Sequence, residues 1–270
     1  EETAQRIGDA DIIINNKIAI TPSLIDACPN LKMIAMSATG YNVVDIDYAA
    51  KKGIPVCNVP VYGTRCVSQY TIALLLEVCH HIGAHSDGVH AGKWENCADW
   101  CYWDYPLIEL AGKTFGLMGL GNIGIHTAEI ALALGMKVIA YNRSQNPKAL
   151  ALGVEYVSLD ELFEKSDVLA LQMPLFPFNT GIINKNNIAK MKDGVIIINA
   201  SRGQMIVEAD LAEALNSGKV AAAAVDVVSE EPIKGTNPLL TAKNCIITPH
   251  IAWGARESRQ RIMDTTVENV

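Results

Sequence analysis

The chain has 270 residues, half of them apolar and 19% charged. It is too long for one small module and short for two domains of about 100 to 200 residues each, and so apolar a chain is not disordered. Twenty-two Lys and Arg against 29 Asp and Glu leave a formal net charge of −7 with no basic run, which argues against nucleic-acid and anionic-membrane surfaces.

Apolar stretches such as Ile72 to Leu76 and Val195 to Ile198 fall far short of the roughly 18 residues of a spanning helix, so no membrane association is expected. Nothing near Glu1 resembles a signal peptide. The seven cysteines (Cys28, Cys57, Cys66, Cys79, Cys97, Cys101 and Cys245) are odd in number, scattered and mostly set in apolar segments. Buried free thiols in a reducing cytosol have that distribution, so a cytoplasmic protein without a disulfide framework is expected. The patch holding His80, His81, His85, His90, Cys97 and Cys101 has neither C-x2-C nor H-E-x-x-H spacing, and no metal site is predicted there.

The chain opens at Glu1 without a methionine and runs straight into an amphipathic segment, so an upstream strand and part of a helix are expected to be absent. From Asp11 onward short β-rich runs alternate with helical stretches, the pattern of a parallel sheet wrapped by helices. Strands are predicted at Asp11 to Asn15, Met33 to Ser37 and Pro55 to Val59. Between them lie a helix opened by Thr21 and Pro22, as N-cap and first-turn residue, and a helix from Asp45 to Lys52 stopped by Gly53. Residues 1–65, completed by 252–270, are read as a small flavodoxin-like α/β lobe.

Cys66 to about Gly92 reads as one long helix that carries the chain from lobe to lobe. After Trp94, Trp100 and Trp103 a longer series follows, with strands at Thr114 to Met118, Lys137 to Tyr141, Val168 to Leu171, Val195 to Asn199, Ala221 to Val225 and Cys245 to Thr248. Its helices are Ile123 to Leu134, Ser158 to Lys165 with Ser158 and Glu161 as a capping box, and Glu208 to Ser217 ended by Gly218. Strands joined by helical crossovers predict a doubly wound (Rossmann) domain over residues 66–251.

Gly119-Leu120-Gly121-Asn122-Ile123-Gly124 follows a predicted strand and opens a predicted helix, the setting in which G-x-G-x-x-G binds a dinucleotide. The first glycine permits a tight turn, the second lets backbone approach a pyrophosphate, and the third lets helix pack closely on strand. The helix N-terminus adds free N–H groups and about half a positive charge. Asn142 stands 18 residues beyond Gly124, where an acid is expected to bind the adenosine ribose, and Arg143 and Ser144 follow it. Asparagine bonds a ribose hydroxyl without repelling a 2′-phosphate; Arg143 either pairs with such a phosphate, stacks on adenine or points into solvent. NAD or NADP is the expected cofactor, and Asn142 with Arg143 suggests that NADP(H) is accepted.

Three segments lie at predicted strand ends: Asn199-Ala200-Ser201-Arg202-Gly203, Glu230-Glu231-Pro232 and Pro249-His250-Ile251-Ala252-Trp253. Ligands of doubly wound sheets bind beyond the carboxyl ends of the strands. An arginine, a carboxylate and a histidine meeting a nicotinamide there suit reduction of a 2-oxo acid. The arginine grips the substrate carboxylate, the histidine gives a proton to the carbonyl oxygen, and the carboxylate keeps that histidine oriented. Singly, each has an ordinary alternative, as a salt-bridge partner, a turn residue or a surface histidine.

Together with Val225-Asp226-Val227, and with 29 residues from Arg202 to Glu231 and 19 from Glu231 to His250, these segments resemble the D-isomer-specific 2-hydroxyacid dehydrogenase family. The likeness covers nearly the whole chain, Ala38-Thr39-Gly40-Tyr41-Asn42 and Asn58-Val59-Pro60 resembling the family's substrate domain. Within the family it is nearest to glycerate dehydrogenases, which reduce hydroxypyruvate. The resemblance implies that Arg202 binds the substrate carboxylate, that His250 donates the proton with Glu231 as its partner, and that Ala38, Thr39 and Gly40 offer N–H groups to that carboxylate. It further implies cofactor contacts at Gly119, Gly121, Asn122, Ile123, Gly124, Pro174, Ala200, Ser201, Arg202 and His250, with Asp226 on the carboxamide. The sequence departs from the family at Asn142 and at Gln172, where a histidine is common.

The aromatic stretch from Trp94 to Tyr105 is either core or an arm across a homodimer, the resemblance implying the arm. Without an extra cationic cluster, 3-phosphoglycerate is a less fitting substrate than hydroxypyruvate or glyoxylate. A dehydrogenase for lactate-like acids, or a dinucleotide-sensing binding protein resembling a corepressor, would share the same fold, because function lives in the pocket.

Overall fold

In the computed structural model, which describes residues 2–270, the chain divides into two compact units, Thr64–Ala252 and the residues through Gly63 joined by Trp253–Val270. In the unit that runs through Gly63, α1 (Glu2–Ile7), β1 (Ile12–Asn15), α2 (Pro22–Asp26), β2 (Met33–Met36), α3 (Ile46–Lys51) and β3 (Val56–Cys57) alternate along the chain. The strands form a parallel sheet in the order β1-β2-β3, with Ile12 level with Met33 and Ile34 level with Val56. Thr21 and Asp45 cap α2 and α3 by accepting the N–H groups of Leu24 and Tyr48. Ile20, Ile25, Leu31, Ile34, Met36 and Ile54 form the core.

The C-terminal helix Arg256–Asn269 belongs to this unit. Arg261 donates from Nε and Nη2 to the Tyr62 carbonyl at 2.9 and 2.8 Å, and Asn269 donates to that of Asn58 at 3.1 Å. Its sequence is polar, with Ser258, Ile262 and Thr266 buried, so apolar periodicity did not mark it.

The second unit opens with α4 (Thr64–His80) and α5 (Ile82–His90) rather than one continuous helix from Cys66. The break is His81, whose φ of 47° is left-handed and ends the α4 hydrogen-bond ladder. Its ring stacks on Tyr105 with centroids 4.2 Å apart, and burial holds its imidazole below the ordinary value, against the opposing pull of Glu77. An apolar run carries no sign of such a break, because the compensating contact comes from a residue far along the chain.

Next come β4 (Thr114–Met118), α6 (Asn122–Ala133), β5 (Lys137–Tyr141), α7 (Pro147–Ala151), β6 (Glu155–Tyr156), α8 (Leu159–Lys165) and β7 (Val168–Leu171). They are followed by α9 (Lys185–Lys190), β8 (Val195–Asn199), α10 (Glu208–Ser217), β9 (Val220–Val225) and β10 (Cys245–Ile247). The sheet is parallel and has seven strands, in the order β10-β9-β8-β7-β4-β5-β6, one more than the sequence predicts. The extra strand, β6, has only two residues, one of them exposed, too few to show a period. Both faces are covered: Phe115, Leu117, Val138, Ile196 and Ile198 pack on one, Phe163, Leu169, Leu171, Ile197 and Leu211 on the other.

The Ser158 and Glu161 capping box is present. Asp167 braces the foot of the sheet, accepting the Thr114 N–H at 2.7 Å and Lys192 Nζ at 2.8 Å. Burial alone would raise its carboxyl, but Lys192 and the Thr114 N–H outweigh that and hold it below the ordinary value. Among the described residues no helix is long and apolar enough to cross a membrane.

Candidate active site

Chain order reverses between β4 and β7, and at that switch point the crevice beyond the carboxyl ends of the strands opens. Gly119 leaves β4 with φ 103°, and a Cβ there would lie 2.5 Å from the Gln172 carbonyl oxygen. A Cβ on Gly124 would lie 2.5 Å from the Gly119 carbonyl oxygen, whereas one on Gly121 would meet nothing within 4 Å. Only glycine satisfies the first position, and the third keeps α6 pressed against the turn. Gly121 is the N-cap of α6 and has no side chain to cap it, so the N–H groups of Asn122 and Ile123 face an open approach. A pyrophosphate fits this cradle in charge and in space.

Asn142 follows β5 and binds inside the turn rather than reaching away from it. Its Oδ1 accepts the Leu120 N–H at 3.3 Å and its Nδ2 donates to the Ser144 carbonyl at 2.8 Å. Arg143 and Ser144 beside it are exposed. Gln172 Nε2 donates to Thr71 and Thr127 at 3.1 and 2.8 Å, joining α4 to α6, while its Oε1 is buried without a partner among the described residues. Pro174 continues the same edge, its carbonyl accepting from Asn179 at 2.9 Å.

β8 ends at Asn199, whose buried amide shapes the next turn: Oδ1 accepts the Ser201 N–H and Nδ2 donates to the Arg202 carbonyl, each at 3.0 Å. Ser201 donates its hydroxyl to the Met173 carbonyl, tying the turn to the edge that holds Pro174. Arg202 is half-buried, and its Nη1 donates to the Ser201 carbonyl at 2.7 Å.

Glu231 and His250 meet directly. His250 Nδ1 lies 2.7 Å from Glu231 Oε2, with the two side chains 30% and 35% exposed, so the pair is open to a small molecule but shielded on most sides. The carboxylate can only accept, so Nδ1 carries hydrogen. Glu231 Oε1 accepts the Val228 N–H at 3.3 Å. His250 has a φ of 55°, a conformation that the surrounding segment must hold.

Asp226, 1% exposed, does that holding. Its carboxylate accepts the Thr248 hydroxyl, the Ile251 N–H and the Ala252 N–H at 2.6, 2.9 and 2.8 Å, and its carbonyl accepts the His250 N–H at 2.8 Å. The resemblance gives Asp226 to the cofactor carboxamide; here its carboxylate is engaged by the segment that carries His250. Spacing along the chain held no sign of this clamp.

In the other unit, Ala38, Thr39 and Gly40 follow β2 in a turn fixed by Thr39 Oγ1 to the Val59 carbonyl, Asn58 Nδ2 to the Thr39 carbonyl and Val59 N–H to the Ala38 carbonyl, at 2.9, 2.8 and 3.0 Å. The unit Thr64–Ala252 thus brings together Gly119 to Gly124, Asn142 to Ser144, Pro174, Ala200 to Arg202, Asp226, Glu231 and His250 at the carboxyl end of one sheet.

Residues 72–252 match the family model described as D-isomer specific 2-hydroxyacid dehydrogenase, NAD binding domain. The chain is 61% identical to a hydroxypyruvate reductase of Blautia hydrogenotrophica over 270 residues, all of this chain and 84% of that one. It is 36% identical to a glycerate dehydrogenase of Methylorubrum extorquens over 272 aligned positions, again all of this chain and 84% of the relative. Its fold superposes on D-lactate dehydrogenase from Aquifex aeolicus, solved with NAD and lactic acid, with a TM-score of 0.87 and 32% identity over 98% of this chain and 83% of that one. The chain belongs to the D-isomer-specific 2-hydroxyacid dehydrogenase family and is a nicotinamide-dependent oxidoreductase.

Proposed function

We propose that the protein reduces hydroxypyruvate to D-glycerate, and that the contact between Glu231 and His250 at 2.7 Å is the centre of the reaction. The hydroxypyruvate reductase at 61% identity supports the substrate, and the geometry supports the chemistry. Arg202 pairs with the substrate carboxylate by charge-assisted hydrogen bonds. What the reduced cofactor supplies when bound is a hydride for the carbonyl carbon. His250 holds a proton at Nε2 and passes it to the carbonyl oxygen, while Glu231 keeps the ring turned and balances its charge. In oxidation His250 takes the hydroxyl proton back. Ala38, Thr39 and Gly40 keep the substrate-binding role that the resemblance gives them.

Gly119, Gly121, Asn122, Ile123 and Gly124 hold the pyrophosphate, Pro174 the adenosine side, and Ala200, Ser201 and Arg202 the nicotinamide side. Dinucleotide binding is assigned to the unit Thr64–Ala252 and the substrate-domain role to the other. NADPH is accepted as well as NADH, because Asn142 carries no charge to repel a 2′-phosphate and Arg143 is exposed beside it. The protein is a cytoplasmic homodimer, the exposed Trp94, Trp100 and Trp103 forming an arm suited to an interface.

A panel of hydroxypyruvate, glyoxylate, pyruvate and 3-phosphohydroxypyruvate, assayed with NADH and with NADPH, tests this reading. Hydroxypyruvate should give the highest kcat/KM. A clear preference for another 2-oxo acid overturns the substrate assignment, and no cofactor oxidation with any of them overturns the reaction.

A further inference from the structure

Glu208, the first residue of α10, touches none of the residues assigned to substrate or cofactor, yet its carboxylate is wholly engaged by one residue of another loop. Oε1 accepts the Ser229 N–H and Oε2 the Ser229 hydroxyl, each at 2.7 Å. Gln204 Nε2 donates to the Ser229 carbonyl at 2.9 Å. Every polar group of Ser229 is therefore held, although Ser229 is exposed and water would satisfy it equally well. Ordering a surface residue in this way costs conformational entropy, and nothing about the Ser229 side chain itself repays it.

The position of Ser229 gives the reason. It lies two residues before Glu231, in a stretch after β9 that has neither helix nor strand. Glu231 Oε1 rests on the N–H of Val228, the neighbour of Ser229, while Oε2 meets His250. The link runs from a rigid helix through Glu208 to Ser229, and from there to the carboxylate that orients His250. An acid in the first helical turn usually serves its own helix by reaching back to the cap. Here the N-cap, Val207, has no side-chain bond, and Glu208 reaches across to the other loop.

We propose that Glu208 is a positioning residue for the reaction: it fixes the turn that presents Glu231 to His250. This rests on the reading of Glu231 and His250 as the reacting pair.

The test is a double-mutant cycle of Glu208→Ala and Glu231→Gln, with Ser229→Ala beside it, measuring kcat with hydroxypyruvate, Kd for NADH by fluorescence titration, and Tm. Glu208→Ala should lower kcat by about 10- to 100-fold, the usual loss for a misplaced catalytic group, with NADH affinity unchanged. Ser229→Ala keeps the backbone bond and should lose less. In the Glu231→Gln background, Glu208→Ala should add no more than about twofold, since residues acting through one another are not additive. A kcat near wild type for Glu208→Ala, a full multiplicative loss in that background, or a weakening of NADH alongside kcat overturns the proposal. If Glu208→Ala does not fold, the cycle with Ser229→Ala decides by the same criteria. If Glu231→Gln alone keeps wild-type kcat, the pairing of Glu231 with His250 is what fails.

Discussion

A Cβ on Gly203 would lie 1.9 Å from the carbonyl carbon of Val228. The turn carrying Arg202 and the turn leading to Glu231 are therefore in backbone contact, and only glycine allows it. Gly203→Ala should force one turn away from the other, destabilising the protein by about 1–3 kcal/mol and lowering kcat in the surviving folded fraction. Thermal unfolding and active-site titration measure the two effects; a variant with wild-type Tm and kcat would show that the two turns move independently.

Asp226→Asn should loosen the His250 segment. Three donors converge on the buried carboxylate, and an amide leaves at least one of them facing an N–H2 group, at a cost of about 1–3 kcal/mol. Turnover should fall with stability. If stability holds and only cofactor affinity drops, Asp226 serves the carboxamide rather than the segment.

Much of this was legible in the sequence, and the remainder was hidden for identifiable reasons. The strands Thr114–Met118, Lys137–Tyr141, Val168–Leu171 and Val195–Asn199 announce themselves because each is a short apolar run buried on both faces. Ser158 with Glu161, and Gly218 at φ 83°, mark helix ends by local chemistry that needs no tertiary contact. The break at His81 depends on Tyr105, β6 is two residues long, and α9 buries only Ile188, so none of these leaves a period to read. α7 begins at a local signal, Asn146 accepting the Lys148 N–H with Pro147 in the first turn, but its five residues bury only Ala149. In the site, residue types and spacing mark Arg202, Glu231 and His250. The contacts made by Asp226 and Glu208 join segments far apart in the chain, which spacing does not encode.

The foot of the sheet should give the protein a specific acid sensitivity. Asp167 is held below its ordinary value, so it stabilises the fold above the unfolded value near 3.8 and loses that contribution as pH falls through its lower folded value. Asp167→Asn should lower Tm at pH 7, and the gap from wild type should narrow as pH drops below about 4. A gap that is constant with pH would mean that the carboxylate charge contributes nothing there.

Arg143→Ala should weaken NADPH by about tenfold or more and leave NADH nearly unchanged, the size expected for one charge-assisted bond to a phosphate. Asn142→Asp keeps an acceptor for the Leu120 N–H but adds a charge, and should shift preference toward NADH. Equal weakening of both cofactors by Arg143→Ala would remove the 2′-phosphate role from this turn.

Turnover of His250→Ala with hydroxypyruvate, measured together with NADH affinity, bears most directly on the reaction. If His250 gives its proton to the carbonyl oxygen while Glu231 holds the ring at 2.7 Å, the variant should lose about 100-fold or more in kcat and bind NADH as wild type does. A kcat close to wild type would contradict the account.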